Sequence, residues 1–338
     1  MTTKRDRVLA ALRGERPDAV PAGFWGHNYA REHSADELAA ETVERARALD
    51  WDFVKIQSRA ECFAECWGAR WGRSADPVRR EPQLAPVVRT ARDLDAIRAS
   101  TADRAPLEEQ LDALRLIRRA LADGRPLLMT LFSPLMTLPY LLVEQPDAGQ
   151  RRAALELVRS DPARTARALA AIAELHAWFA RACVEAGADG VFYATNMTAT
   201  GLASADEVER FERPHAEQVL ASLGPGTLSM LHICGSGIQF DALARLGFPS
   251  ISWAAGGANP TLLEGQERSG HAVAGGISTG DRLAAMTAEE AGSEAEAAIE
   301  ATRGRGLLLA PSCSIRRDTP LATLHAVARV AARMARTH

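Results

Sequence analysis

The chain has 338 residues, a length that one α/β barrel can occupy, since such barrels run to about 250 residues and more. Hydrophobic residues make up 47% and charged residues 25%, the usage of a globular protein and not of a disordered or fibrous one. The formal net charge is −3, too small to favour nucleic acid or an anionic membrane as a partner. No apolar run approaches the roughly 20 residues that a membrane span needs.

The thiols indicate a reducing environment. Five cysteines, an odd number, occur in a chain whose amphipathic N-terminal segment lacks the apolar core of a signal peptide. In a large chain, such a count indicates reduced thiols and not a disulfide framework. We therefore expect a cytoplasmic protein and ask what the five thiols do.

Short apolar runs alternate along the chain with longer segments of helical period. Eight of these runs are predicted as β-strands, each followed by a segment that can hold a helix: 20–25, 52–57, 126–132, 189–194, 227–234, 249–254, 271–277 and 306–311. This alternation predicts a parallel sheet with right-handed crossovers. A doubly wound open sheet is the alternative, but the first predicted strand is followed by FWGHNYAREH, which is not a Gly-rich phosphate turn.

We therefore predict the α/β class and a (β/α)8 TIM barrel. Residues 1–338 are expected to form one domain with an N-terminal helical extension. The long stretch 58–125 is expected to hold extra helices or a loop over the barrel mouth.

A candidate metal site lies at the ends of two predicted strands. His232 and Cys234 point the same way in the fifth predicted strand, because alternate residues share a face. Cys313 follows the eighth, and both strands end at the same mouth. One imidazole and two thiolates suit Zn2+ with an open fourth position. The alternative is that the cysteines are small buried hydrophobic residues.

The chain resembles the uroporphyrinogen decarboxylase superfamily over nearly its whole length, in five segments taken in order: RVLAALRGERPDAVP, PLLMTLFSPLMTLPYLLVE, EAGADGVFYATNM, LHICGSG and LAPSCSIRRDTP. That family folds as a (β/α)8 barrel. Within it, the chain is most similar to the methylcobamide:coenzyme M methyltransferase branch, which is marked by His-x-Cys and a distant Cys. The resemblance implies that His232, Cys234 and Cys313 bind zinc.

The resemblance to the decarboxylases themselves is incomplete. They carry an arginine-rich stretch after strand one and an aspartate after strand two, where this chain reads GFWGHNYAREH and KIQSRAECF. A substrate with many carboxylates would find too few cationic partners here. We do not expect decarboxylation of a porphyrinogen.

The resemblance implies a zinc-dependent methyltransferase. A small thiol would lose its proton at the zinc and attack the methyl group of a methylated corrinoid, as in methylcobalamin. The chain lacks an Asp-x-His-x-x-Gly corrinoid motif, so the corrinoid is expected on a partner protein. The acceptor stays open between coenzyme M, homocysteine and another small thiol, and so does the oligomeric state.

Two other functions stay open. One is a lyase or decarboxylase of the same fold that acts on a small acid through Lys55 or His27. The other is a non-catalytic subunit that binds a corrinoid or another tetrapyrrole-like ligand.

The remaining candidates lie near strand ends. His27 and Tyr29 follow the first predicted strand, and Lys55 lies in the second, where it either forms a Schiff base or pairs with a carboxylate. These three are the predicted catalytic residues. The predicted substrate-binding residues are Gln57, Tyr193, Asn196 and Arg316. Cys62 and Cys66, spaced four apart, either supply a metal ligand or form a packed helix face, and Cys183 is expected in the core.

Overall fold

A computed structural model of the protein describes residues 2–142 and 147–333. Nine β-strands occur in this part of the chain. They are β1 (Val54–Ile56), β2 (Arg70–Trp71), β3 (Gln83–Ala85), β4 (Leu127–Phe132), β5 (Gly190–Thr195), β6 (Met230–Ile233), β7 (Ser250–Trp253), β8 (Ala272–Ile277) and β9 (Leu307–Pro311).

Helices fill most of the segments between the strands. They are α1 (Lys4–Leu12), α2 (Ala35–Ala48), α3 (Cys62–Glu65), α4 (Ala105–Ala120), α5 (Pro134–Leu141), α6 (Asp147–Ser160), α7 (Pro162–Glu185), α8 (Ala205–Phe211), α9 (Arg213–Ser222), α10 (Phe240–Ala244), α11 (Leu262–Ser269), α12 (Gly280–Ala285), α13 (Ala288–Thr302) and α14 (Leu321–Arg333). Several begin at a side chain that caps the first turn, as at Ser34, Asp161 and Thr287. Among the described residues, no helix has the length and apolar character to cross a membrane.

Seven strands form one parallel sheet in the order β1-β4-β5-β6-β7-β8-β9, and β2 pairs with β3 separately. The seven are buried along almost their whole length. Parallel strands covered on both faces need apolar residues throughout, which explains runs such as LLMTLF in β4. All seven coincide with predicted strands, so the prediction of an α/β fold with a parallel sheet is confirmed.

The first predicted strand, 20–25, is the exception. It forms a single parallel bridge, from Ala22 to Leu309, and not a strand. Gly23 donates its N–H to the Leu309 carbonyl (3.1 Å), and the Ala22 carbonyl accepts from the Asp52 N–H (2.9 Å). The two edges of the curled seven-stranded sheet are thus joined by an extended segment. The prediction of a closed barrel of eight full strands is corrected at this place.

The segment between β1 and β4 contains the extra elements predicted for 58–125. Besides α3, the β2–β3 pair and α4, two short 3-10 helices lie there, at Ala91–Ala96 and Ala99–Thr101. Residues Ala60 and Arg80 of this stretch line a cavity at the carboxyl ends of the parallel strands. The inserted stretch therefore contributes to the mouth of the sheet.

Candidate metal centre and its cavity

A cavity of about 460 Å³ lies at the carboxyl ends of the parallel strands. Alternate residues of successive strands face it, as the pleat of a strand requires. Its wall includes Lys55 of β1 with Gln57, Thr130 and Phe132 of β4, Phe192 and Ala194 of β5 with Asn196, His232 of β6 with Cys234, and Cys313 with Ser314 after β9. This is the end at which barrel enzymes place their chemistry.

Three side chains of this wall converge as predicted. The possible ligand atoms of His232, Cys234 and Cys313 all lie within 4.8 Å of one another, and the two sulfur atoms are 3.8 Å apart. Gly235, with φ of +123°, lets the chain turn away directly after Cys234. Among the described residues, no other group of three or more His, Cys, Asp or Glu side chains is arranged so that it could hold a metal ion. We call these three residues the triad.

The two ring nitrogens of His232 have different surroundings. Nδ1 lies 3.2 Å from the hydroxyl of Ser252, which is opposite His232 in the register of β6 with β7. Nε2 is buried and has no hydrogen-bond partner among the described residues. A buried polar atom without a partner is costly, and a metal ligand is one of the few roles that remove this cost. The triad therefore fits zinc, in donor type and in number.

The two cysteines of the triad are in different states. Their mutual hydrogen bond lowers the pKa of Cys313 well below that of an ordinary thiol. The same hydrogen bond and burial raise the pKa of Cys234. Without a cation, the pair therefore favours one thiol that donates to one thiolate.

A second polar group lies across the cavity. The Lys55 amine donates to Oε1 of Gln57, and Nε2 of Gln57 lies 2.9 Å from Nε2 of His27. The other ring nitrogen of His27 is 2.6 Å from the Glu32 carboxylate, and the ring stacks on Tyr29 at 4.7 Å. Burial lowers the pKa of Lys55 to about 7, and the nearby charges of Cys313 and Glu32 partly offset this.

The structure brings most of the predicted site residues together. The predicted catalytic residues His27, Tyr29 and Lys55 line the cavity, as do Gln57 and Asn196. The Lys55 amine lies 4.8 Å from the centre of the Phe192 ring and donates to an amide. The predicted alternative of a Lys55–carboxylate pair is thus replaced by an amide contact.

Tyr193 is not where substrate binding would require it. Residues 192 and 194 face the cavity, so Tyr193 lies on the opposite face of β5. There its hydroxyl donates to Glu212 at 3.4 Å, and its ring packs against Phe248. The prediction that Tyr193 contacts substrate together with Asn196 is therefore corrected, because the two have opposite parity along the strand.

Arg316 is not among the residues that line the cavity. Its guanidinium pairs with Asp281 and Asp318, each at 2.6 Å, at the surface. In both pairs, the N–H groups of the guanidinium donate to carboxylates of the same chain. These contacts do not test the predicted role of Arg316 in substrate binding, which stays a prediction.

The other three cysteines are buried elsewhere. Cys62 and Cys66 lie in and directly after α3, with Sγ of Cys66 donating to the Cys62 carbonyl at 3.3 Å. Burial raises the pKa of Cys66 to about 12 and that of Cys183 well above an ordinary thiol. Of the two alternatives for Cys62 and Cys66, the packed helix face is the one found.

Several residues of the cavity were not predicted from the sequence. They are Glu32, behind His27, and the cavity-lining residues Trp25, Arg80, Tyr140, Arg151 and Phe192. Strand alternation would have found Phe192, since it lies four residues before the predicted Asn196 and so on the same face. Arg80, Tyr140 and Arg151 come from loops and helices far apart in the chain, and a single sequence carries no signal for their meeting.

The fold and the cavity define an α/β protein whose candidate site lies at the carboxyl ends of a parallel sheet. A model of the family described as uroporphyrinogen decarboxylase (URO-D) matches residues 3–334, and the chain belongs to this family. The predicted superfamily is thereby confirmed.

Two proteins named uroporphyrinogen decarboxylase are similar in sequence. The one from Syntrophotalea carbinolica is 29% identical over 213 residues, 62% of this chain and 60% of that protein. The one from Sorangium cellulosum is 27% identical over 244 residues, which is 67% of either chain. The match thus spans about three fifths to two thirds of the length of these relatives.

Two solved structures are similar in fold. A methyltransferase from Methanosarcina mazei superposes with a TM-score of 0.81 at 21% identity, over 98% of both chains. A B12-independent methionine synthase from Shewanella sp. W3-18-1 superposes with a TM-score of 0.58 at 16% identity, over 93% of this chain and 97% of that one. At these identities the likeness concerns the fold.

Proposed function

We propose that the protein is a zinc-dependent methyltransferase that transfers a methyl group to a small thiol. The observation that carries the proposal is the triad: two sulfur atoms and an unpartnered imidazole nitrogen meet at the wall of a cavity of about 460 Å³. A site with three protein ligands leaves a position for a further ligand, as catalytic zinc sites do. The methyltransferase name of the Methanosarcina mazei structure supports this class of reaction.

His232, Cys234 and Cys313 would hold the zinc. When bound, zinc would lower the pKa of a coordinated thiol and so supply a thiolate at neutral pH. Apolar side chains, among them Phe132, Met136 and Phe192, would exclude water from the nucleophile. A cavity of this size suits a small thiol, since pockets for small ligands measure roughly 300–1,000 Å³.

The methyl donor is proposed to be a methylated corrinoid, such as methylcobalamin on a separate protein, by the resemblance to the corrinoid-dependent branch. The chain itself lacks the Asp-x-His-x-x-Gly motif. A thiolate that attacks the methyl carbon would form a thioether, and the carbon–cobalt bond would break with its electron pair left on the metal of the corrinoid.

A second candidate function is decarboxylation, favoured by the names of the two sequence relatives. Lys55, Arg80 and Arg151 supply cations to the cavity wall, which a small acid could use. A carbonyl acid that forms a Schiff base with Lys55 would be trapped by borohydride. The third function is that of a subunit that binds a corrinoid without catalysis. Such a protein would change the absorption spectrum of added cobalamins but form no thioether.

Metal analysis tests the proposal. Wild-type protein purified without chelators should contain close to one zinc ion per chain, and Cys313→Ser should contain less than about a tenth of that, because two protein ligands bind zinc far more weakly than three. Cys183→Ala is the matched control, since this buried cysteine lies outside the triad. Wild-type protein free of zinc, or equal zinc in Cys313→Ser, would contradict the proposal.

A further inference from the structure

The polar group across the cavity from the triad is a directed chain of hydrogen bonds. An ammonium or amine of Lys55 donates to Oε1 of Gln57, and the amide nitrogen of Gln57 can only donate, so Nε2 of His27 accepts. Nδ1 of His27 then carries the hydrogen that goes to the Glu32 carboxylate at 2.6 Å. In this arrangement His27 is neutral and its tautomer is set by Glu32.

The side-chain amide of Gln57 can also be rotated by 180°, which exchanges the positions of its oxygen and its nitrogen. Its NH2 group then donates toward Lys55, whose nitrogen must offer a lone pair and so must be a neutral amine. Its carbonyl accepts from Nε2–H of His27, which can now hold a proton on each nitrogen. A fully protonated pair leaves Gln57 with a donor facing a donor at one end, whichever way it points. The hydrogen-bonding pattern therefore favours one extra proton on Lys55 and His27 together, and disfavours two.

We propose that Lys55 and His27 form an acid–base pair that holds a single proton through the amide of Gln57, with Glu32 as the positioning residue that orients His27. In the state with neutral Lys55, the pair can accept the proton of a substrate thiol. The S–H bond breaks, the proton joins the lone pair of Lys55, and the sulfur keeps the electron pair. This last role rests on the proposed function, whereas the one-proton coupling does not.

Burial favours this assignment. Lys55 is 4% exposed, and its pKa of about 7 makes the neutral amine accessible near neutral pH. The His27 side chain is 14% exposed and the Glu32 side chain 2%, so His27 is the member of the pair from which a proton can leave to solvent. When Lys55 accepts a proton, the side-chain amide of Gln57 would therefore rotate, and His27 would release its second proton.

Other charged groups surround the pair and must be separated from the coupling. Cys313 and Glu32 act on Lys55, and Glu61 interacts with His27. The remaining neighbours, which act on Tyr29, Glu61 or Glu32, are Arg80, Tyr140 and His33. All of these act through space, and replacing Gln57 leaves them in position. A double-mutant cycle at positions 27 and 57 therefore isolates the coupling between Lys55 and His27 that the amide of Gln57 transmits.

The readout is the pKa of Lys55, measured from the ε-carbon signal of labelled lysine. The chain has two lysines, so Lys4, which pairs with Asp50 at the surface, is an internal control. His27→Phe keeps the ring stacked on Tyr29 but removes the competing base. We expect it to raise the pKa of Lys55 by about one with Gln57 present and by less than about a third of that in Gln57→Leu.

Two results would overturn the inference: an equal rise in both backgrounds, which a through-space effect would produce, or no rise in either. Should His27→Phe fail to fold, the wild type and Gln57→Leu suffice. The wild-type Lys55 signal should titrate over a broader range than one independent proton, and Gln57→Leu should sharpen it to a single step. Zinc content measured in the same samples keeps the two proposals apart, because stoichiometric zinc with no coupling refutes only the acid–base pair.

Discussion

At the scale of the residue, the two ring nitrogens of His232 have the surroundings that the proposed zinc site would require. Ser252 occupies Nδ1 and leaves the lone pair of Nε2 free toward the inside of the site. A partner on the second nitrogen sets the tautomer and the ring orientation of metal-binding histidines. Both residues are fixed by strand register, so the orientation is a property of the sheet.

Ser252→Ala tests this orientation. It should weaken zinc affinity by about 10-fold to 100-fold, the usual cost of losing such a partner, and leave the fold intact. The measurement is a zinc titration against a competing chelator. Ser250→Ala is the matched control, since Ser250 is in the same strand and its hydroxyl lacks a partner among the described residues. Equal affinities for the two variants would refute a role for Ser252.

At the scale of the element, a buried carboxyl group links the helical layer to the sheet. Glu212, at the junction of α8 and α9, is fully buried and accepts from Ser133 at 2.9 Å and from Tyr193 at 3.4 Å. Ser133 also caps the first turn of α5. This contact explains why Tyr193 is a polar residue on the face of β5 away from the cavity. Burial raises the pKa of Glu212 to about 7, from an ordinary value near 4.5.

The raised pKa makes stability depend on pH. Below about pH 4.5 both the folded and the unfolded chain hold the proton, and between about 4.5 and 7 only the folded chain does. The contribution of Glu212 to the free energy of unfolding should therefore fall by roughly 3 kcal/mol as the pH rises through this window, and stay constant above it.

Urea unfolding of wild type and Glu212→Gln at about pH 5 and pH 8 measures this fall. The stability of wild type relative to the variant should decrease between the two values, because glutamine does not titrate. Glu209→Gln, at an exposed position of α8, is the control for the loss of a surface carboxylate. A pH-independent difference for Glu212→Gln would show that the group stays in one protonation state.

Strand alternation accounts for what could be predicted of the site. It put Lys55 with Gln57 and His232 with Cys234 on common faces, and the structure has both pairs in one cavity. Applied consistently, the same rule separates Tyr193 from Asn196. The rule does not apply to the cavity residues that loops and helices supply. Arg80 and Glu32 are set by tertiary packing of the inserted stretch and of the loop after residue 25, where no periodicity exists to be read.

At the scale of the whole molecule, the segment after residue 20 joins the first and last strands of the sheet. It bonds to β9 through Gly23 and to the segment before β1 through Ala22, and the Trp25 carbonyl accepts from the N–H of Ile315 at 2.8 Å. From the sequence, a full strand at 20–25 could not be distinguished from this bridging segment, because both are short, apolar and extended. The segment holds His27 next to the chain that carries Cys313.

Gly26→Ala tests this closure. A β-carbon at position 26 would lie 2.1 Å from the Ile315 carbonyl oxygen, so the two segments must separate. The free energy of unfolding should drop by about 1–3 kcal/mol, and zinc retention should fall because Cys313 moves with Ile315. Gly201→Ala is the control, since nothing lies within 4 Å of its added β-carbon. Unchanged stability and zinc content in Gly26→Ala would refute the closure as a determinant of the site.

The order of the triad residues along the chain has a consequence for biosynthesis. His232 and Cys234 follow the middle of the sequence, whereas Cys313 comes after the last strand and the closing contact needs both Ala22 and Leu309. If the triad binds zinc as proposed, a ribosome-bound nascent chain offers at most two of its three side chains until residue 313 has emerged. Metal uptake would then occur late in synthesis, and prematurely terminated chains would bind zinc weakly and lack the contact that joins the sheet edges.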